Sequence, residues 1–151
     1  MEALQKATKV GFASTFSFFL KAQNFHWNVT GPDFLEYHEL FGNIYEEVYS
    51  SIDGFAERIR SLGTYVPASL SRFNMLSQIE DQNEILPKEQ MVVQLLEDNE
   101  KLITILKLIY DVAEQNGEHG FSNFLAERMD AHRKHGWMLR SSIEGIQNAS
   151  Q

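Results

Sequence analysis

The chain has 151 residues, 43% of them hydrophobic and only three of them proline, and it carries a formal charge of −8. That size and composition predict one folded domain over residues 1–151 and exclude a disordered chain. The charge disfavours tight DNA binding, which draws on neutralised phosphates, and suits a collector of cations as well as any ordinary acidic protein. Without cysteine there are no disulfides, thiolate metal sites or thiol catalysis, which is compatible with a reducing cytoplasm. The longest mostly apolar run, Phe16 to Leu20, cannot span a membrane, and MEALQKATKV lacks the apolar core of a signal peptide. A cytoplasmic location is therefore expected.

A first helix is expected from residue 2 to 27. Phe12, Phe16, Phe19 and Leu20 form an i, i+4, i+7, i+8 stripe, with Phe18 and Phe25 off it and buried on another side. VTGPD ends it, since Gly31 permits a left-handed turn and Pro32 disfavours helix at the residue before it. A second helix starts near Asp33 or Phe34, with Phe41, Ile44, Tyr45, Val48, Ile52, Phe55 and Ile59 on its core face and Gly63 as its C-cap. Residues 64–87 form a connector in which SLSRFNMLSQI is apolar enough for a short helix. Its length suits a lengthwise crossover between helices that run the same way. A third long helix covers residues 88–115 on Val92, Leu95, Leu96, Leu102, Ile103, Leu106 and Ile109. A fourth covers 120–144, with Phe121, Phe124, Leu125, His132, His135 and Leu139 on its stripe and Arg128 interrupting it. The tail GIQNASQ is expected to fray. With no β-period segment, the fold class is all-α: a ferritin-like four-helix bundle with a short extra helix in the long crossover and a largely apolar core.

The residues able to do chemistry gather between Asn24 and Gly63. His38, Gly42, Tyr49, Asp53 and Glu57 share one face of the second helix, beside its apolar stripe. A polar row in that position is ordinarily just solvated, but this one has metal-capable groups at both ends. Asp53 and Glu57 are one turn apart, so both carboxylates reach one ion, and His26 closes the first helix. Histidine with carboxylate suits iron(II), zinc or manganese. Distance is the obstacle. Residues 38 and 53 lie about 22 Å apart along a straight helix. The four groups meet only if two chains lie antiparallel about a two-fold axis, which forms the site twice. An internal di-iron centre of the ordinary ferritin kind is not expected, because no glutamate has a histidine three residues later.

HWNVTGPDF, His38, the DGFAERIRSLG segment and HRKHGWMLRS together resemble the Dps-type mini-ferritins, over nearly the whole chain. The resemblance implies a ferroxidase: a homo-oligomeric hollow dodecamer built from two-fold dimers that oxidises iron(II) with hydrogen peroxide or oxygen and stores ferric mineral. It also implies that His26 and His38 of one subunit face Asp53 and Glu57 of its partner as metal ligands and catalytic groups, with Glu57 bridging when two irons bind. The family commonly has an aspartate four residues after the second histidine, where this chain has Gly42. One tight and one weaker metal position are therefore expected. Gly42 also keeps open a non-catalytic helical assembly protein with a structural or vestigial site that holds zinc.

Trp27 and Tyr49 lie close enough to serve as electron relays, although interface packing is the commoner role. Trp137 reads as core or interface. His132 and His135 share a face and could hold a metal, but hydrogen-bonded core histidines are commoner there. His119 is expected at the surface, and Glu114, Glu118, Glu127 and Asp130 are candidates for an iron-entry pore. Only Lys6 and Lys9 precede the first core residues of the first helix and GIQNASQ has no basic residue, so DNA binding through a lysine-rich tail, as in DNA-binding family members, is not expected, nor is a tight DNA complex.

Overall fold

The computed structural model describes residues 1–149, with side chains through Glu144. It has five helices: α1 (Glu2–Asn28), α2 (Phe34–Ser61), α3 (Leu70–Leu76), α4 (Lys88–Gln115) and α5 (His119–Ala149). Among the described residues there is no strand, and no helix is long and apolar enough to cross a membrane. The fourth long helix runs past the expected end at Glu144 to Ala149, so the first part of the tail continues the helix. The last two residues lie outside the described part.

Named contacts fix the helix directions. The Met1 ammonium donates to Asn116 Oδ1 at 3.0 Å, so α1 begins where α4 ends. The short loop over 29–33 reverses α1 into α2, which leaves α2 parallel to α4 and makes the connector a lengthwise crossover. Glu47 meets Arg128 and His135 while Phe55 meets Phe121 and Phe124, so α5 runs antiparallel to α2. The result is the ferritin-like bundle.

The buried face of α1 differs in part from the expected stripe. Phe12 and Phe19 of that stripe are buried, as are Phe18 and Phe25 beside it, but the buried face also takes in Leu4, Thr8, Gly11, Thr15 and Ala22, whereas Leu20 is exposed and Phe16 turns to α3 to stack on Phe73 at 4.4 Å. Small and hydroxylated residues disguise this face. Thr8 and Thr15 donate their hydroxyls to the carbonyls of Leu4 and Gly11, which leaves only their methyl groups to pack. A Cβ on Gly11 would overlap Ile109 Cδ1, so the Ile109 side chain of α4 occupies the space that glycine leaves on α1.

The core also departs from a uniformly apolar interior. Lys21 of α1 and Asp98 of α4 form an ion pair at 2.7 Å, each side chain only 3% exposed. Across the α2–α5 seam, Arg128 grips Glu47 with two hydrogen bonds at 2.6 and 2.9 Å, and His135 Nε2 meets the same carboxylate at 2.7 Å. Asn99 donates to the His132 carbonyl and accepts from His132 Nδ1, both at 2.8 Å. A buried charge persists only when paired, and these are.

Candidate metal centre

His26 ends α1 and His38 lies early in α2, and the loop between them, with Asp33 in the left-handed region (φ 63°), sets them side by side. The imidazoles stack with centroids 3.7 Å apart and planes 17° from parallel. Each binds the other's backbone: His26 Nδ1–H donates to the His38 carbonyl at 2.6 Å, and His38 Nδ1–H donates to the His26 carbonyl at 2.7 Å. A carbonyl can only accept, so both Nδ1 atoms carry the proton and both Nε2 atoms keep a free lone pair in the neutral rings. Ligating histidines are commonly oriented by this kind of outer hydrogen bond. Phe34 stacks on His38 at 5.1 Å, and Tyr45 meets His26 edge-on at 5.1 Å, so packing holds the pair as well.

The stacking limits what the pair can bind. An imidazole bonds a metal in its own ring plane at roughly 2 Å. An ion midway between two nearly parallel rings would sit too far out of both planes to bond either one well. The two lone pairs therefore address separate positions within one centre, rather than chelating a single ion.

Asp53 and Glu57 lie further along α2, and both are exposed. A hydrogen bond shared with Asp53, and then the Asp53 charge, hold the Glu57 carboxyl above its ordinary range. Two acids that crowd each other in this way favour a cation between them. Within one chain they stay apart from the histidines: among the described residues, no three His, Asp or Glu side chains converge as a metal site. The structure thus brings together His26 with His38 and Asp53 with Glu57, and leaves the two pairs separate.

Large apolar side chains lie exposed near both pairs, with Trp27 at 63%, Leu35 at 73% and Tyr49 at 62%. Trp137 is exposed too, so it is no part of the core. His119 lies at the surface, paired with Glu114 at 3.2 Å, and Glu127 and Asp130 are exposed on α5.

Comparison with known proteins adds the family. Residues 5–149 match the model of the ferritin-like domain. An uncharacterized low temperature-induced protein of Nostoc is 35% identical over 138 residues, 88% of this chain and 75% of that protein. DNA protection during starvation protein 2 of Bacillus anthracis is 33% identical over 125 residues, 83% of this chain and 86% of that protein. The chain belongs to the ferritin-like family, on its Dps branch. The fold agrees: the Dps protein of Vibrio cholerae superposes with a TM-score of 0.89 at 25% identity, covering 94% of this chain and 89% of that one. That protein is described as a member of a broad superfamily of ferritin-like diiron-carboxylate proteins. Membership in the Dps family supports a mini-ferritin role for this chain.

Sequence reasoning missed several residues of this Dps-type fold. Phe34 and Tyr45 frame the imidazoles, and Glu47 joins Arg128 and His135. The interruption of the α5 stripe at Arg128 was the available signal for the seam. The adjacent acid and amide Asp98-Asn99, in the middle of an apolar helix, were the signal for the buried pairs on α4.

Proposed function

We propose that the chain is an iron-oxidising, iron-storing mini-ferritin whose oxidation centre forms between two-fold related subunits. His26 and His38 of one subunit meet Asp53 and Glu57 of the other, and two such centres form per dimer. The observation that carries this reading is the pair of imidazoles locked as Nδ1–H tautomers with both Nε2 atoms free, on a chain whose acid pair lies too far along the same helix to reach them. The exposed Trp27, Leu35 and Tyr49 support a partner surface over this region. Their role is packing at that interface.

Iron(II) is the substrate. Two iron(II) ions give up one electron each, and hydrogen peroxide takes both electrons and two protons to leave two waters. That balance releases no hydroxyl radical. The imidazoles supply neutral donors, while Asp53 and Glu57 supply the negative charge that favours iron(III) over iron(II), with Glu57 bridging the two positions. Because nothing on α2 adds a carboxylate at Gly42, the first position binds tightly and the second weakly. The diiron-carboxylate description of the Vibrio relative supports iron over zinc. The assembly is a hollow dodecamer that protects DNA by removing iron and peroxide rather than by binding it. A gel shift that retains DNA at moderate ionic strength would contradict that last part.

The test adds iron(II) anaerobically, then peroxide, and follows ferric absorbance for wild type and Glu57→Ala, with particle mass by light scattering. Fast oxidation by a twelve-subunit particle, falling to the buffer rate in the variant, is expected. A wild type no faster than buffer would favour the non-catalytic assembly protein with a vestigial site.

A further inference from the structure

Phe34 is the first residue of α2 and stands one helical turn before His38, with its backbone N–H held by the Gly31 carbonyl at 3.2 Å. Its ring stacks on the His38 ring at 5.1 Å, with planes 28° apart. The His26 ring covers the other face of His38. A Cβ built at Gly42, one turn after His38, would meet the His26 ring at 3.0 Å, so His26 lies on the Gly42 side and Phe34 on the opposite one. His38 is thus the middle ring of a three-ring column along α2, and Tyr45 closes the far end by meeting His26 edge-on.

This column governs how the two lone pairs are used. The hydrogen bond to the His26 carbonyl fixes one atom of His38, Nδ1, and leaves the ring free to swing about it. An imidazole bonds a metal in its own plane, and two nearly parallel planes 3.7 Å apart have no common point near both Nε2 atoms. Both rings bond one ion only after one of them tilts open. His26 has the α2 backbone at Gly42 behind it. His38 is therefore the ring that has to tilt, into the space on its far face, and the Phe34 ring fills that space.

We propose that Phe34 is a positioning residue that sets the number of ions per centre: its ring holds His38 parallel to His26, so the two imidazoles serve two ions and do not chelate one. The proposal rests on the reading of His26 and His38 as ligands and deepens it. Two iron(II) ions held side by side match the two electrons that hydrogen peroxide takes on its way to water. Peroxide that meets a single chelated iron(II) takes one electron and splits into hydroxide and hydroxyl radical. The aromatic wall behind His38 thus favours the two-electron outcome.

The experiment uses the full-length assembled protein without iron, and zinc as a redox-inert probe. Nitrogen NMR of ¹⁵N-histidine-labelled protein follows each Nε2 through a zinc titration, with the signals assigned in His26→Ala and His38→Ala. In wild type the first equivalent per centre should shift one ring, and the other should follow only as the weaker position fills. In Phe34→Ala both Nε2 signals should shift together with the first equivalent, and the second step should be lost. Light scattering checks assembly, and Phe34→Val answers the same question if the alanine variant does not assemble. Phe34→Tyr keeps a flat ring and should match wild type. With iron(II) and peroxide, spin trapping should find more hydroxyl radical from Phe34→Ala than from wild type. Separate steps in Phe34→Ala or Phe34→Val would overturn the proposal, as would one shared step in wild type or in Phe34→Tyr. Zinc that moves neither ring in wild type would instead end the reading of the two histidines as ligands.

Discussion

Two histidine pairs occupy this bundle, and they are held in opposite ways. His26 and His38 join the ends of α1 and α2, half-buried, with each Nδ1 fixed on a backbone carbonyl and each Nε2 free. His132 and His135 lie inside, on α5, with one nitrogen of each fixed on a side chain of another helix: Asn99 for His132 and Glu47 for His135. Backbone anchoring needs only local geometry, which leaves the rings available to a ligand. Side-chain anchoring joins distant helices and makes the rings part of the packing. Residue type alone does not make a site; the difference lies in what the second nitrogen faces. For the inner pair the remaining atoms, His132 Nε2 and His135 Nδ1, are buried with no hydrogen-bond partner among the described residues.

The contrast can be broken most forcefully at the seam. Arg128→Met should lower the unfolding free energy by about 2–3 kcal/mol, measured by urea denaturation at fixed subunit concentration. That is less than the about 3–5 kcal/mol for a fully buried broken pair, because the Glu47 side chain is 36% exposed and partly screened. The pair His26 and His38 should keep its tautomers in this variant.

Acid should act on the inner pair next. Burial first, then the charges of Arg128 and His135, hold the His132 pKa well below 6.5. Below about pH 6.5 the unfolded chain therefore takes up a proton that the folded chain refuses, and stability falls as pH drops. Burial works to raise the Glu47 pKa, but hydrogen bonds from His135 and Arg128 outweigh it and hold the carboxyl well below its ordinary range. Its contribution is complete above about pH 4.3 and is lost as pH falls further. His132→Gln should flatten stability between about pH 6.5 and 4.5, by at most about 1.4 kcal/mol per pH unit, the value of one proton. An unchanged slope, followed by thermal unfolding across that range, would leave His132 outside the acid response.

The smallest effect on stability is expected at the outer pair. His38→Ala removes one of two exchanged hydrogen bonds at a half-buried position, so it should cost about 1 kcal/mol or less by the same denaturation measurement. Iron oxidation should nevertheless be lost. A larger loss of stability without a change in oxidation would make the two pairs alike.

Much of this was legible in the sequence. The core of α2 followed its three- and four-residue spacing, and the bounds of α4 fell where Pro87 and Asn116-Gly117 set them. The face of α1 was legible only at its phenylalanines, since Phe12, Phe18, Phe19 and Phe25 are buried as expected, whereas Thr8, Gly11 and Thr15 pack as small groups whose polarity is absorbed by their own helix. The seam was not legible, because Glu47 and Arg128 are 81 positions apart and each alone reads as a surface charge.

The sequence by itself determined the helices, the crossover and the impossibility of closing a four-ligand centre on one rod, since helical rise and periodicity are local properties of the chain. Only the tertiary structure decided which nitrogens of which histidines stay free and that the His26 ring rests on Gly42. Those depend on which backbone carbonyl and which bare Cα a neighbouring helix brings within hydrogen-bond and contact distance, and no spacing along the chain encodes that.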